Sequence, residues 1–138
     1  MRELKFRAYL KEEKKYVFPT MILVDFGIVT GIAYTDVDES THEPIERRLI
    51  IEDVVLEQTT GLRDKNGKKI YEGDIVLIDI WDGNKRVPEI GHIAYDQSFA
   101  GFKWLSADGI SGYCLYDMDY PIRKVIGDIH NNPELLER

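Results

Sequence analysis

The chain is poor in cysteine, in histidine, in net positive charge and in long apolar runs, and each shortage removes a class of protein. Of its 138 residues one is cysteine, Cys114, so no disulfide can close within the chain, which fits a reducing compartment. His42, His92 and His130 stand apart, none with a second His or Cys at the spacing a zinc site needs. The apolar runs fall far short of the roughly 20 residues of a membrane-spanning helix. Met1-Arg2-Glu3-Leu4-Lys5 leads into polar alternation where a secretion signal would place its apolar stretch. These readings predict a cytoplasmic chain with no membrane partner, and the length suits one domain over residues 1–138.

Positive charge is scarce and local. The net charge is −7; residues 1–15 hold six Lys/Arg against three Asp/Glu, whereas residues 36–57 hold eight acids against two arginines. A duplex-binding protein presents a basic stripe, because neutralising phosphates supplies most of its affinity. Any such stripe here would be small, and a solvated mixed-charge surface explains the letters better.

What the chain has is turn chemistry and short β-branched runs. The organising stretch is Thr59 to Ile80. Asp64-Lys65-Asn66-Gly67-Lys68 is a tight-turn sequence, since Asn and Gly tolerate positive φ and Asp can accept bonds from nearby amides. Tyr71-Glu72-Gly73-Asp74 is a second turn that feeds Ile75 to Ile80, a run expected to form a strand covered on both faces at the centre of a sheet. Taken in order, Leu4 to Leu10 alternates as a strand with Leu4, Phe6, Ala8 and Leu10 on one face. Tyr16-Val17-Phe18 before Pro19 reads as an edge or strand end. Met21 to Phe26 and Ile28 to Tyr34 read as a hairpin broken at Gly27. Thr35 to Arg48, acidic and interrupted by Pro44, reads as a long loop, and Leu49 to Thr59 admits a strand or a helical turn.

Further on, Glu89 to Tyr95, Phe99 to Leu105, Tyr113 to Tyr116 and Lys124 to His130 read as strands, with Phe102 and Trp104 on one face. Asn132 as N-cap, Pro133 at the first position and Glu134 behind it predict a short helix over 133–137. Strands this short and frequent predict a mainly β fold with bent sheets or a small barrel.

A family resemblance rests on the same letters. Thr60-Gly61-Leu62-Arg63-Asp64-Lys65-Asn66-Gly67-Lys68 followed by Ile70-Tyr71-Glu72-Gly73-Asp74-Ile75-Val76 resembles the signature of the YopX family of phage and prophage proteins. Lys5-Phe6-Arg7-Ala8-Tyr9 is similar to that family's opening strand, and Val125 to Ile129 with Asn132 to Leu136 to its closing segment. The resemblance implies bent sheets with a small SH3-like barrel, a phage or prophage origin and self-association. It implies no catalytic residue.

Motifs that suggest chemistry fail on spacing. Gly61 to Lys68 looks like a phosphate loop, yet five residues separate its glycines where four are required, Lys69 stands at the Mg-binding hydroxyl, and a strand follows instead of a helix. Asp36-Val37-Asp38-Glu39-Ser40 begins like a calcium loop, but Thr41 replaces the turn glycine and Arg47 the bidentate Glu. Cys114, in an apolar aromatic strand, reads as a small buried core residue. Glu72 and Asp74 could act as acid and base with His92, although a turn in which Asp74 caps amides explains the same residues. The aromatics Tyr71, Trp81, Tyr95, Phe99, Phe102, Trp104, Tyr113, Tyr116 and Tyr120 have few basic neighbours, only Lys85, Arg86, Lys103, Arg123 and Lys124, so core and interface suit them better than base stacking.

The sequence therefore predicts a non-enzymatic, homo-oligomeric interaction module, with no catalytic, cofactor or metal site and with a phage or host protein as a further partner. A small-barrel nucleic-acid binder and a hydrolase or nuclease using Glu72, Asp74 or His92 are the alternatives. Leu4 to Leu10 and Val125 to His130, free of proline, would each be free to pair with another subunit if they lie outermost in their sheets.

Overall fold

A computed structural model describes residues 5–115 and 122–137. Twelve strands account for most of them, and the helical content is limited to short 3-10 turns. They group into two compact units, 5–58 and 59–137, each with its own apolar core.

The first unit contains β1 (Phe6–Leu10), β2 (Lys15–Val17), β3 (Met21–Asp25), β4 (Ile28–Val37), β5 (Pro44–Ile50), a 3-10 turn over Ile51–Asp53 and the start of β6 (Val54–Arg63). Alternation in β1 turns Ala8 and Leu10 into a core with Ile32, Tyr34 and Val54. β1 pairs with β2 on one side and β6 on the other, so it is an interior strand and the condition under which Leu4 to Leu10 could pair with another subunit is not met. Opposite Arg7 in that ladder, the buried Glu57 carboxylate accepts bonds from Arg7 Nε and the Tyr16 hydroxyl, each 2.9 Å long. The Arg7 guanidinium also lies 4.1 Å from the Tyr16 ring centre, which leaves this desolvated charge paired on each side.

β3, β4 and β5 form a separate antiparallel sheet. The expected loop over Thr35 to Arg48 is mostly ladder, with β4 paired to β5 from Gly31↔Ile50 to Val37↔Pro44. Pro44 is compatible with it because it occupies the strand's first position, where a missing donor costs least. The charges fit too, since Glu46, Arg47 and Arg48 lie on an exposed outer strand. Leu49 to Thr59 satisfies each expectation in turn: strand end, helical turn, then strand.

The second unit contains the rest of β6, then β7 (Lys69–Tyr71), β8 (Asp74–Trp81), β9 (Arg86–Asp96), β10 (Gly101–Ser106), β11 (Gly112–Cys114), β12 (Ile122–Asp128) and a 3-10 turn over Pro133–Leu136. Its five-stranded antiparallel sheet runs β11-β10-β9-β8-β12 and curls into a half-barrel. β9 links the two halves of this sheet: it pairs with β8 over 86–92 and with β10 over 91–96, so only Gly91 and His92 have partners on both sides. At that crossing a Cβ on Gly91 would lie 2.4 Å from the Leu105 carbonyl oxygen and from the Trp104 indole, so glycine is obligatory. β8 has neighbours on both sides, and Ile75, Val76 and Ile78 are fully buried although they point to alternate faces.

Two local expectations are corrected here. Cys114 is half-buried, on the face of β11 opposite Tyr113, which packs on the core with Leu115. Asn132 does not cap the last turn; its Oδ1 accepts from the Asp128 amide at 3.2 Å. Tyr116 and Tyr120 lie outside the described residues.

Candidate functional site

The central stretch folds as a pair of locked turns. Gly67 at φ +83° and Gly73 at φ +87° take the left-handed backbone expected of them, whereas Asn66 does not. Asp64 is only 7% exposed, and its carboxylate accepts from three amides: Asn66 and Lys68 on Oδ1, both at 2.9 Å, and Val125 on Oδ2 at 3.0 Å. Burial pushes this carboxyl up, but the amides of Val125, Lys68 and Asn66 outweigh it and hold it below its ordinary range. At the second turn Asp74 accepts from the Tyr71 amide at 2.8 Å. The Gly73 amide donates to the Ile93 carbonyl at 2.8 Å, and the Gly73 carbonyl accepts from the Ile129 amide at 2.9 Å.

The same geometry separates the residues considered for acid-base work. His92 is opposite Ile75 in the ladder, and Asp74 precedes Ile75, so the pleat puts the two side chains on opposite faces of the sheet. Burial, and next the charge of Lys103, lower the His92 pKa and favour its neutral form. Its Nδ1 is buried without a hydrogen-bond partner, unlike a base held in position by a third group. Glu72 is half-buried in the turn beside Gly73. Among the described residues no three His, Cys, Asp or Glu side chains gather as a metal site would require.

The motif-like loops are structural as well. Asp38 Oδ1 accepts from the Ser40 and Thr41 amides and the Ser40 hydroxyl at 2.6–3.2 Å, and Asp36 pairs with Arg47 Nε at 2.9 Å. The carboxylates that resembled a calcium loop thus bind their own hairpin. Over Gly61 to Lys68 the chain passes from β6 into the Asp64 turn, with no helix N-terminus to receive phosphate.

The aromatics divide. Trp104 is fully buried against Tyr113 at 5.6 Å between ring centres, and Tyr71 is buried; Trp81, Tyr95 and Phe99 are exposed. Nearby cations are engaged, Lys103 with Asp96 at 2.9 Å and Arg123 with Asp79 at 3.6 Å. Ser98 and Lys103 lower the Asp96 carboxyl to about 2.

A larger apolar display lies in the first unit, at the tip of the hairpin expected around Gly27, where β3 and β4 pair. Asp25 pairs with Ile28 across a two-residue turn in which Phe26 (φ +51°) and Gly27 (φ +79°) are both left-handed. Phe26 is 96% exposed, and Val24 and Ile28, on opposite faces of the same tip, are also exposed. β5 pairs with β4 only from Gly31 onward, so this tip extends as a two-stranded arm. Gly27 between two apolar runs signals this hairpin in the sequence, but Phe26 reads there as the end of the strand and not as the first turn residue.

These features define a mainly β protein in which Asp38, Asp64 and Asp74 hold turn amides and the β3–β4 tip exposes apolar side chains. The family comparison then places it: the YopX protein family model matches residues 5–137, and the chain belongs to that family. Among solved structures it is similar to protein EF1440 from Enterococcus faecalis, with a TM-score of 0.64, 32% identity, and coverage of 99% of this chain and 100% of that one. No curated protein matches it. Among the described residues no helix is long and apolar enough to cross a membrane.

Proposed function

We propose that this YopX chain is a non-enzymatic interaction module that acts as a homo-oligomer, in the phage or prophage setting that the family resemblance suggests, within the cytoplasm of a bacterial host. The observation that carries this reading is the β3–β4 arm, which holds Val24, Phe26 and Ile28 in water on an ordered hairpin. Monomeric proteins seldom keep such apolar surface uncovered, and an aromatic anchor on a rigid element is the usual centre of a protein interface. The acidic balance and the engaged cations argue against a nucleic-acid groove, and the separation of Asp74 from His92 argues against a hydrolase or nuclease.

Light scattering after size exclusion, at low and high salt, tests the proposal. The expected result is an oligomer at both, because apolar area and hydrogen bonds resist screening. A monomer at both overturns it. Salt-sensitive binding to a labelled single-stranded oligonucleotide would instead favour the small-barrel nucleic-acid reading.

A further inference from the structure

The sheet edges are not equally protected. β2, β7 and β11 are only three residues long, and β5 carries Pro44, Glu46, Arg47 and Arg48. β12 does lie outermost, as pairing at Val125 to His130 would require, but its Val125 amide is capped by Asp64, with Arg123 and Lys124 exposed beside it. These are the devices by which proteins block edge-to-edge pairing. β3, the outermost strand of its sheet, is the least protected: Met21-Ile22-Leu23-Val24-Asp25 contains no Pro or Lys and has its one charge at the end, and the register shift opposite Leu23 and Val24 puts its extra residue, Thr30, on β4 and not on the edge strand.

We propose that β3 is the assembly edge and that it pairs, antiparallel, with β3 of a second copy about a two-fold axis at Leu23. This inference rests on the self-association proposed above and names its site. In that register Ile22 faces Val24 of the other copy and Met21 faces Asp25, so apolar cross-strand pairs form on both sides of the axis. The two Asp25 carboxylates lie four residues apart along the ladder, about 13 Å, beyond one screening length at about 0.1 M salt. Pro19 ends the ladder, and Phe26 of one copy then reaches the Phe18–Thr20 segment of the other, which covers two exposed phenylalanines at once.

The area agrees with a stable pair. Phe18, Met21, Val24, Phe26 and Ile28 are all exposed and together offer roughly 600 Å², taking about 200 Å² for a fully exposed aromatic. The open backbone of a five-residue edge brings this near the about 800 Å² per partner of a standard interface.

The test uses the full chain, with Cys114→Ser wherever a new thiol is introduced. Leu23→Cys should give a disulfide-linked dimer on mild oxidation, since directly opposed Cβ atoms sit about 5 Å apart; Met21→Cys, offset by four residues from its own copy, should not. Val24→Lys should weaken association at least tenfold, as loss of an interface anchor does. Phe26→Asn should do the same while the fold stays intact, because Asn accepts the left-handed turn. Since each copy carries −7, raising salt should strengthen the dimer. A monomeric parent chain overturns both this inference and the oligomeric reading. An oligomer that Val24→Lys leaves unchanged, or that crosslinks equally through Met21→Cys, overturns the β3 edge alone.

Discussion

The Asp64–Lys68 turn and the Phe26–Gly27 turn both reverse an antiparallel pair of strands, and they treat their surroundings in opposite ways. The first buries a carboxylate and uses both its oxygens on backbone amides, one of them 61 residues further along the chain. The second makes no side-chain bond at its tip and holds an aromatic ring in water on strained backbone. A turn under selection for fold alone takes Asn, Asp or Gly at left-handed positions. Phe there costs stability, and the cost is tolerable if the ring has another task.

The largest expected effect breaks the first turn. Asp64→Ala removes the acceptor of three amides and should cost about 3 kcal/mol or more, lowering Tm by about 10 °C in calorimetry. Asp64→Asn should fall between it and the parent, because the amide nitrogen turns a donor toward one of the three amide donors. Gly73→Val, at φ +87° with its peptide bonded on both sides, should cost about 1–3 kcal/mol, and an unchanged melting curve would remove the strain argument.

Acid should separate the two turns more gently. The Asp64 pKa is depressed in the folded state, so its contribution is complete above the unfolded value of about 3.9 and is lost as pH falls through the lower folded value. Urea titrations across that window should show a steeper loss for the parent than for Asp64→Asn; equal slopes would mean that Asp64 is not the group responsible. The smallest effect sharpens the second turn: Phe26→Asn should raise the stability of the dissociated chain by up to about 1 kcal/mol while weakening its assembly. A loss of stability instead would mean that Phe26 packs within its own subunit.

Local chemistry was legible in the sequence and distant pairing was not. Gly67, Gly73, the capping role of Asp74 and the buried run Ile75 to Ile80 follow from turn and strand preferences that act over a few residues. The Asp64–Val125 bond does not, because nothing near either residue announces the other. β5 was hidden because an exposed outer strand needs apolar residues on one face only, so Glu46, Arg47 and Arg48 read as loop. The β3–β4 hairpin was legible from Gly27, but Phe26 read as the last strand residue because Phe is not a turn residue, and Asn132 misled because its oxygen serves Asp128 instead of the following turn. For the site, the separation of Glu72, Asp74 and His92 needed the ladder register, since proximity along the chain says nothing about which face a side chain takes.

The long-range bond to Asp64 also sets an order of events during synthesis. At about 5–20 residues per second, roughly 3 to 12 s pass between the making of Asp64 and of Val125. In that interval β8 to β11 can add one after another, each antiparallel to its predecessor. One side of β8 and one oxygen of Asp64 meanwhile wait for β12. A nascent chain is thus exposed to mispairing at that vacancy, and the arrival of β12 closes both openings together, its ladder covering β8 while its Val125 amide binds Asp64.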